Sequence, residues 1–188
     1  FINGISGSGK STLVELLAGL NIPISGQILI DQTDLSNMNM DNWLSSIGFV
    51  GQKNFLFNKS IKKNIYDGDL NATELSYRKA IETSQTLDFL EKYNLSENDI
   101  INQNQDNLSG GQLKRISIAR ALIKNPQILI LDEATNEFDE LLEEKIINEI
   151  IKNYSGITII FISHNLKIKK FCNRHFIIND NKILEQKL

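Results

Sequence analysis

The chain has 188 residues, 41% hydrophobic and 23% charged, with a formal net charge of −3. That is the size of one domain with enough apolar material for a core, which excludes wholesale disorder. The acidic balance excludes a dominant nucleic-acid-binding surface, because such domains are usually strongly basic.

Phe1-Ile2-Asn3 leads, with no initiator Met, straight into a glycine-rich loop. Such a loop needs a strand in front of it, so the opening reads as a segment of a longer protein; nothing there has the pattern of a signal peptide. Residues 11–19 carry apolar side chains at 13, 16 and 17 and predict a helix closed by Gly19. Residues 25–31 predict a turn and a short strand, and Ile47-Gly48-Phe49-Val50 predicts a second strand ending at Gln52. From about 58 to 124 the pattern is helical. Leu75, Ile81, Leu87, Leu90 and Tyr93 mark broken amphipathic helices, and Leu113, Ile116, Ala119 and Ile123 a cleaner one. Residues 128–131 and 157–162 are β-branched apolar runs, as in strands covered on both faces of a parallel sheet. The second run is the longest apolar stretch and falls far short of the roughly 18 residues of a membrane span. Between them Leu142, Ile146 and Ile150 form one stripe of a crossover helix, which makes a βαβ unit. Cys172 is the single cysteine, so no internal disulfide is possible, and its usage fits a reducing compartment. Residues 176–184 predict two short strands around an Asn179-Asp180-Asn181 turn. The fold class is α/β with a mostly helical insertion in the middle. No repeat or Pro-rich linker interrupts it, and the abundance of Ile and Asn fits an AT-rich, bacterial coding sequence.

Gly4-Ile5-Ser6-Gly7-Ser8-Gly9-Lys10-Ser11 fits the P-loop pattern G-x-x-x-x-G-K-[ST] in full, with Thr12 following. Glycines let the backbone curl so that successive N–H groups point at phosphate oxygens, and the helix that begins near Lys10 adds its positive end. Lys10 is placed to reach the β- and γ-phosphates, and the Ser11 hydroxyl to sit on Mg²⁺. A chance glycine-rich turn is disfavoured by Lys-Ser in register and by the apolar helix behind it. The strand at 128–131 ends in Asp132-Glu133, where open α/β sheets bind ligands. Alone, two acids there read as a solvated strand end. With the P-loop, Asp132 suits Mg²⁺, and Glu133 suits polarising a water for attack on a γ-phosphate. Leu108-Ser109-Gly110-Gly111-Gln112 stands directly before a helix, so Ser109 either caps that helix or binds an anion there.

In this order the motifs resemble those of the nucleotide-binding domain of ATP-binding cassette (ABC) proteins. They are a Walker A loop at 4–11, a Q-loop glutamine at Gln52, an LSGGQ signature at 108–112, a Walker B strand with its glutamate at 128–133, a D-loop ending at Asp139, and a switch histidine at His164. The resemblance runs from the first residue to about 185. It implies a P-loop ATPase core with a mostly parallel sheet, made of residues 1–57 and 125–188, and a helical subdomain at 58–124 carrying the signature. It also implies ATP and Mg²⁺ as ligands and a head-to-tail pair of such domains, identical or not. Ser109, Gly110, Gly111 and Gln112 of one chain then face the nucleotide on the other, with Asp139 nearby. Gln52, Ser11 and Asp132 serve the metal, and Glu133, His164, Gln52 and Lys10 serve hydrolysis. A lone histidine after a buried strand would otherwise read as structural.

Phe55-Leu56-Phe57-Asn58-Lys59-Ser60-Ile61-Lys62-Lys63-Asn64-Ile65 and Phe89-Leu90-Glu91-Lys92 are similar to stretches of exporter-type cassettes. That resemblance implies a transmembrane domain on the same full-length chain, a coupling helix received around Gln52 and residues 55–65, and a place on the cytoplasmic face of the inner membrane. Two alternatives are a soluble ABC ATPase without a membrane partner and a binding-only regulatory cassette. The first usually brings a coiled-coil insertion or second cassette; the second would be expected to lose Glu133 or His164, and both stand. Departures from the exporter pattern are clear. The aromatic residue that stacks on adenine would lie upstream of Phe1, and Asn136-Glu137-Phe138-Asp139 replaces the common Ser-Ala-Leu-Asp. Asn102-Gln103-Asn104-Gln105 precedes the signature, with Gln103 where a glutamate is expected. Trp43 reads as a packing residue at the edge of the core, Lys62-Lys63 and residues 167–170 as solvated charge, and His175 as part of a strand without a motif partner.

Overall fold

The computed structural model describes residues 1–5, 7–101, 108–179 and 182–186. Ser6 of the phosphate loop, the Asn102-Gln103-Asn104-Gln105 stretch, and Asp180-Asn181 of the last turn lie outside the described residues.

In chain order the elements are β1 (Ile2–Gly4), α1 (Lys10–Leu17), β2 (Leu29–Ile30), β3 (Thr33–Asp34), α2 (Met40–Ser46), β4 (Ile47–Val50), α3 (Ile61–Tyr66), α4 (Glu74–Thr83), α5 (Thr86–Lys92), α6 (Gly110–Leu122), β5 (Ile128–Asp132), α7 (Glu140–Asn153), β6 (Thr158–Ile162), β7 (His175–Asn179) and β8 (Lys182–Gln186). Most helices begin where the sequence offers a side-chain oxygen. Asn39, Ser60, Thr73, Ser109 and Asp139 each accept a backbone N–H of the turn that follows. Six strands form one sheet in the order β4-β5-β6-β1-β7-β8, in which only β7 and β8 pair antiparallel. The predicted βαβ unit is present, since β5 and β6 pair in parallel across α7. The short β2–β3 hairpin stands apart as a second sheet.

The sheet divides the core into two apolar clusters, and β5 shows how. Leu129 and Leu131 join α4, α6 and α7 residues on one side, while Ile130 joins Val14, Trp43, Ile47 and Ile178 on the other. Alternate side chains of a strand point to opposite faces, so an unbroken apolar run is what a doubly covered strand requires. At roughly 1.5–3 kcal/mol per buried large aliphatic side chain, these clusters hold the strand ends in register. Helix α6 is buried almost all round, with Leu113, Ile116, Ile118, Ala119, Ala121 and Leu122 inside the larger cluster.

Several local expectations are corrected. Leu75 and Tyr93 are 80% and 55% exposed. Helix α4 instead buries Tyr77, Ala80 and Ile81, an i, i+3, i+4 face on which Leu75 has no place, and Tyr93 sits at the C-cap of α5. The turn and short strand expected within 25–31 are present, the strand being Leu29–Ile30. The first three residues of β6 are not fully covered and border an open groove lined by Phe1, Leu17, Ile151 and Tyr154. Trp43 is buried within the smaller cluster, and His175 hydrogen-bonds the Lys169 carbonyl through Nε2 at 3.2 Å. Lys62 pairs with Glu97 at 3.0 Å, while Lys167 and Lys170 reach Glu140 and Glu144 of α7.

Candidate functional site

Strands β1, β4, β5 and β6 run parallel, so their C-terminal ends share one edge of the sheet. Beyond those ends stand, in turn, the glycine-rich loop, Gln52, Glu133 and His164. That edge is where open α/β sheets bind ligands.

The loop after β1 is built for close approach. Gly9 sits at φ 93° at the N-cap of α1, a left-handed conformation that side chains resist, and it supplies no capping oxygen. The first N–H groups of α1 therefore have no side-chain cap, unlike those of the five helices named above, and they point into the loop. A Cβ on Gly4 would stand 2.6 Å from Ser8 Oγ and 2.8 Å from the Ile178 carbonyl. Ser8 Oγ is itself buried with no hydrogen-bond partner among the described residues. Lys10 is buried and donates to the Gly4 and Ile5 carbonyls at 2.8 and 3.0 Å. Uncapped amides, an unpartnered hydroxyl and an ammonium within a glycine cradle fit a polyphosphate. Thr12 lies exposed on the first turn of α1, and Gly7 and Ile5 complete the exposed rim.

Ser11 Oγ faces Asp132 Oδ2 at 3.4 Å, close enough for both oxygens to belong to one hydrated Mg²⁺. Burial, and then the charge of Glu133, push the Asp132 carboxyl above the usual carboxylate range, a cost that a cation beside it would offset. Among the described residues no three His, Cys, Asp or Glu side chains group closely enough to hold a metal. A cation here would lean on Ser11, Asp132 and Gln52 together with phosphate oxygens, which is how Mg²⁺ is commonly held beside nucleotides.

Glu133 is the hub of the edge. Its Oε2 accepts from Gln52 Nε2 at 3.0 Å and from Asn136 Nδ2 at 3.3 Å, and its Oε1 lies 3.3 Å from His164 Nε2. Side chains that follow β4 and β6 thus converge on the carboxylate that follows β5. Its backbone is held at φ 51°, a left-handed conformation rare for a residue with a side chain, while its N–H donates to the Ile162 carbonyl at 2.9 Å. His164 stands on a turn fixed by Asn165, which donates from its backbone to Ser163 Oγ and from its side chain to Glu143 of α7 at 2.7 Å.

The signature residues lie apart from the loop of their own chain. Ser109 and Gln112 form a reciprocal capping box on α6, with Gln112 N to Ser109 Oγ at 3.3 Å and Ser109 N to Gln112 Oε1 at 2.7 Å. The Ser109 hydroxyl proton is left to donate elsewhere. Asp139 caps α7 through Leu142 N at 2.9 Å. No hydrogen bond among the described residues joins Ser109, Gly110, Gly111, Gln112 or Asp139 to the glycine-rich loop. Four residues not among the predicted site residues also enter the site: Asn136 and Glu137 of the D-loop, Asn54 and Lys114. Asn54 Nδ2 reaches Glu137 Oε1 at 3.2 Å and the Gly110 carbonyl at 3.4 Å. Nothing in the sequence singles out Lys114, because α6 also carries Arg115, Ser117 and Arg120.

Fold and site together define a P-loop nucleotide-binding domain of the ATP-binding cassette kind. The profile of the ABC transporter family matches residues 1–136, and the chain belongs to that family. It is 38% identical over 185 residues to the beta-(1→2)glucan export ATP-binding/permease protein NdvA of Rhodopseudomonas palustris, a match covering 97% of this chain and 30% of the relative. It is 41% identical over 186 residues to the leukotoxin translocation ATP-binding protein LktB of Mannheimia haemolytica, covering 98% of this chain and 26% of that one. The chain therefore spans less than a third of the length of these curated relatives. A solved bacterial Atm1-family ABC exporter with ATP bound superposes with a TM-score of 0.92 at 32% identity, over 98% of this chain and 32% of that chain. Among the described residues no helix is long and apolar enough to cross a membrane.

Proposed function

We propose that this chain is the ATP-binding and ATP-hydrolysing cassette that drives an ABC exporter or flippase across a membrane. The observation that carries the reading is the convergence of Gln52, Asn136 and His164 on Glu133, beside the uncapped start of α1. The loop of 4–11 and Thr12 would cradle the phosphates, and Lys10 would exchange its loop carbonyls for phosphate oxygens. Glu133 would take the proton of the attacking water, with Gln52 and Asn136 orienting its carboxylate and His164 facing the γ-phosphate. Mg²⁺ held by Ser11, Asp132 and Gln52 would neutralise phosphate charge.

A second such cassette would place its Ser109, Gly110, Gly111 and Gln112 over this nucleotide, with Asp139 close by. The exposed position of Ser109 and its spare hydroxyl proton support that arrangement. We assign the ATPase core to residues 1–57 and 125–188 and the helical subdomain to 58–124, because every described strand of the six-stranded sheet comes from the first two segments. A transmembrane domain on the full-length chain, with the cassette on the cytoplasmic side, would dock around Gln52 and residues 55–65, next to a groove of ≈ 320 Å³ lined by Leu20, Leu44, Phe49 and Arg120, the last of which donates to the Phe55 carbonyl at 2.7 Å. Phe55 and Phe57 are exposed and pack edge to face against each other, which offers apolar surface to such a partner.

Mixed dimers test the reading. Lys10→Ala and Ser109→Arg should each abolish ATP occlusion in full-length homodimers. Co-reconstituted at equal amounts, they should regain occlusion at one site per mixed dimer, because one site then pairs an intact loop with an intact signature. Mixed dimers that form yet occlude no more than either variant alone refute the trans arrangement and leave Ser109 as a helix cap.

A further inference from the structure

Helix α6 is unusual in how its cations end. Lys114 Nζ donates to the Gly51 and Gln52 carbonyls at 2.9 and 2.8 Å, and Arg120 Nη2 donates to the Phe55 carbonyl at 2.7 Å. From the other direction Asn54 donates to the Gly110 carbonyl at the first turn of the same helix. Four of the five residues from 51 to 55 are thus tied to α6, whereas the side chain of Gln52 reaches away to Glu133. Lys114 is fully buried, and among the described residues its ammonium donates to those two carbonyls alone. Burying an ammonium is costly, and a polar residue of the same reach would pack here at less expense. Desolvation accordingly pushes its pKa down from the ordinary lysine value, against the charges of Glu137 and Asp132. A group retained at that cost, with both bonds on one loop, fixes the loop.

We propose that Lys114 is a positioning residue for Gln52: by holding the Gly51 and Gln52 carbonyls it sets where the Gln52 amide meets Glu133. The site's water-orienting amide is then registered on the signature helix of its own chain as well as on the end of β4. Asn54 and Glu137 extend the same bracket, since Glu137 bears on Gly110, where a side chain would collide with its carboxylate. This inference rests on the proposed part of Gln52 and Glu133 in ATP hydrolysis.

The test is a double-mutant cycle in the full-length protein, reading kcat, KM for ATP and Tm for wild type, Lys114→Met, Lys114→Arg, Gln52→Ala, Lys114→Met with Gln52→Ala, and Glu133→Gln. Lys114→Met should lower kcat by about tenfold with KM within about twofold, the signature of transition-state stabilisation weakened through Gln52. In the Gln52→Ala background the same change should have no further effect on kcat, because its target is gone. Lys114→Arg, which keeps donors for both carbonyls, should recover kcat to within about threefold of wild type. Wild-type kcat in Lys114→Met, or losses that multiply in the double variant, overturns the proposal. Should Lys114→Met fail to fold, Lys114→Gln takes its place in the cycle under the same criterion. Unchanged turnover in Glu133→Gln would overturn the hydrolytic reading itself, whereas a slowed Glu133→Gln beside an unaffected Lys114→Met removes Lys114 alone.

Discussion

Replacing Glu133 by Gln is the sharpest perturbation of this site, because the surroundings fix what it does and does not remove. The carboxylate accepts from Gln52 and Asn136 on one oxygen and faces His164 Nε2 with the other. A glutamine in the same rotamer keeps an oxygen for both amide donors and turns its NH₂ toward the imidazole, which accepts in one tautomer. Volume, rotamer and the backbone at φ 51° are unchanged, so folding stability should move by no more than about 0.5 kcal/mol. What disappears is the group that we propose takes a proton from water, a contribution of about 10²–10⁴ in rate, or roughly 2.7–5.5 kcal/mol of barrier. The assay is steady-state ATP turnover of the full-length protein, with nucleotide occlusion measured in parallel. Turnover should fall at least about 100-fold while ATP binding stays within about twofold, so that closed, ATP-loaded dimers accumulate. Turnover within a factor of two of wild type would remove Glu133 from the role of base, whatever its position.

Two further outcomes follow from local geometry. At the left-handed backbone of residue 133, Glu133→Gly should be more stable in thermal unfolding than Glu133→Ala by roughly 1 kcal/mol, the reverse of the order in a helix; equal stabilities would mean that the strain is relieved in solution. Burial alone would raise the Glu97 carboxyl, but hydrogen bonds from Lys62 and Tyr77 and the charge of Lys62 hold it below the usual range. Its contribution to stability is thus present above the unfolded carboxylate pKa of about 4.3 and lost as pH falls through the lower folded value. Glu97→Gln should cost about 1 kcal/mol at neutral pH and little near pH 3, read by denaturant midpoints at both; a cost that does not shrink in acid would show that packing, not charge, is lost.

The features legible in the sequence are those whose geometry only a few residue types permit. The glycine-rich loop needs left-handed positions and close backbone approach, so Gly4, Gly9, Lys10 and Ser11 announce it, and β5 needs apolar side chains on both faces, so residues 128–131 stand out. Leu75 misleads about the buried face of α4 because it is apolar without being buried, and a short helix offers too few turns for periodicity to correct one residue. The loop 51–55 was legible only through Gln52. Its anchors are backbone carbonyls, which carry no sequence signal, and the side chains that seek them, Lys114 and Arg120, read on paper as ordinary helix surface.

The same distinction explains why the motif order reveals the parts of the site better than their connections. Parallel pairing brings residues 52, 133 and 164 to one edge because each follows the C-terminal end of a strand, so their proximity depends on topology and not on spacing. Asn136 reaches Glu133 for a different reason. The left-handed turn at 133 folds the chain back so that a side chain three residues later meets the carboxylate it follows. Strain at Glu133 therefore does two things at once: it aims the carboxylate outward from the sheet and supplies it with a donor. A glycine there would relieve the strain and keep the turn, but leave Gln52 and Asn136 without their shared acceptor. That is the physical reason for a side chain to persist at a position whose backbone favours none.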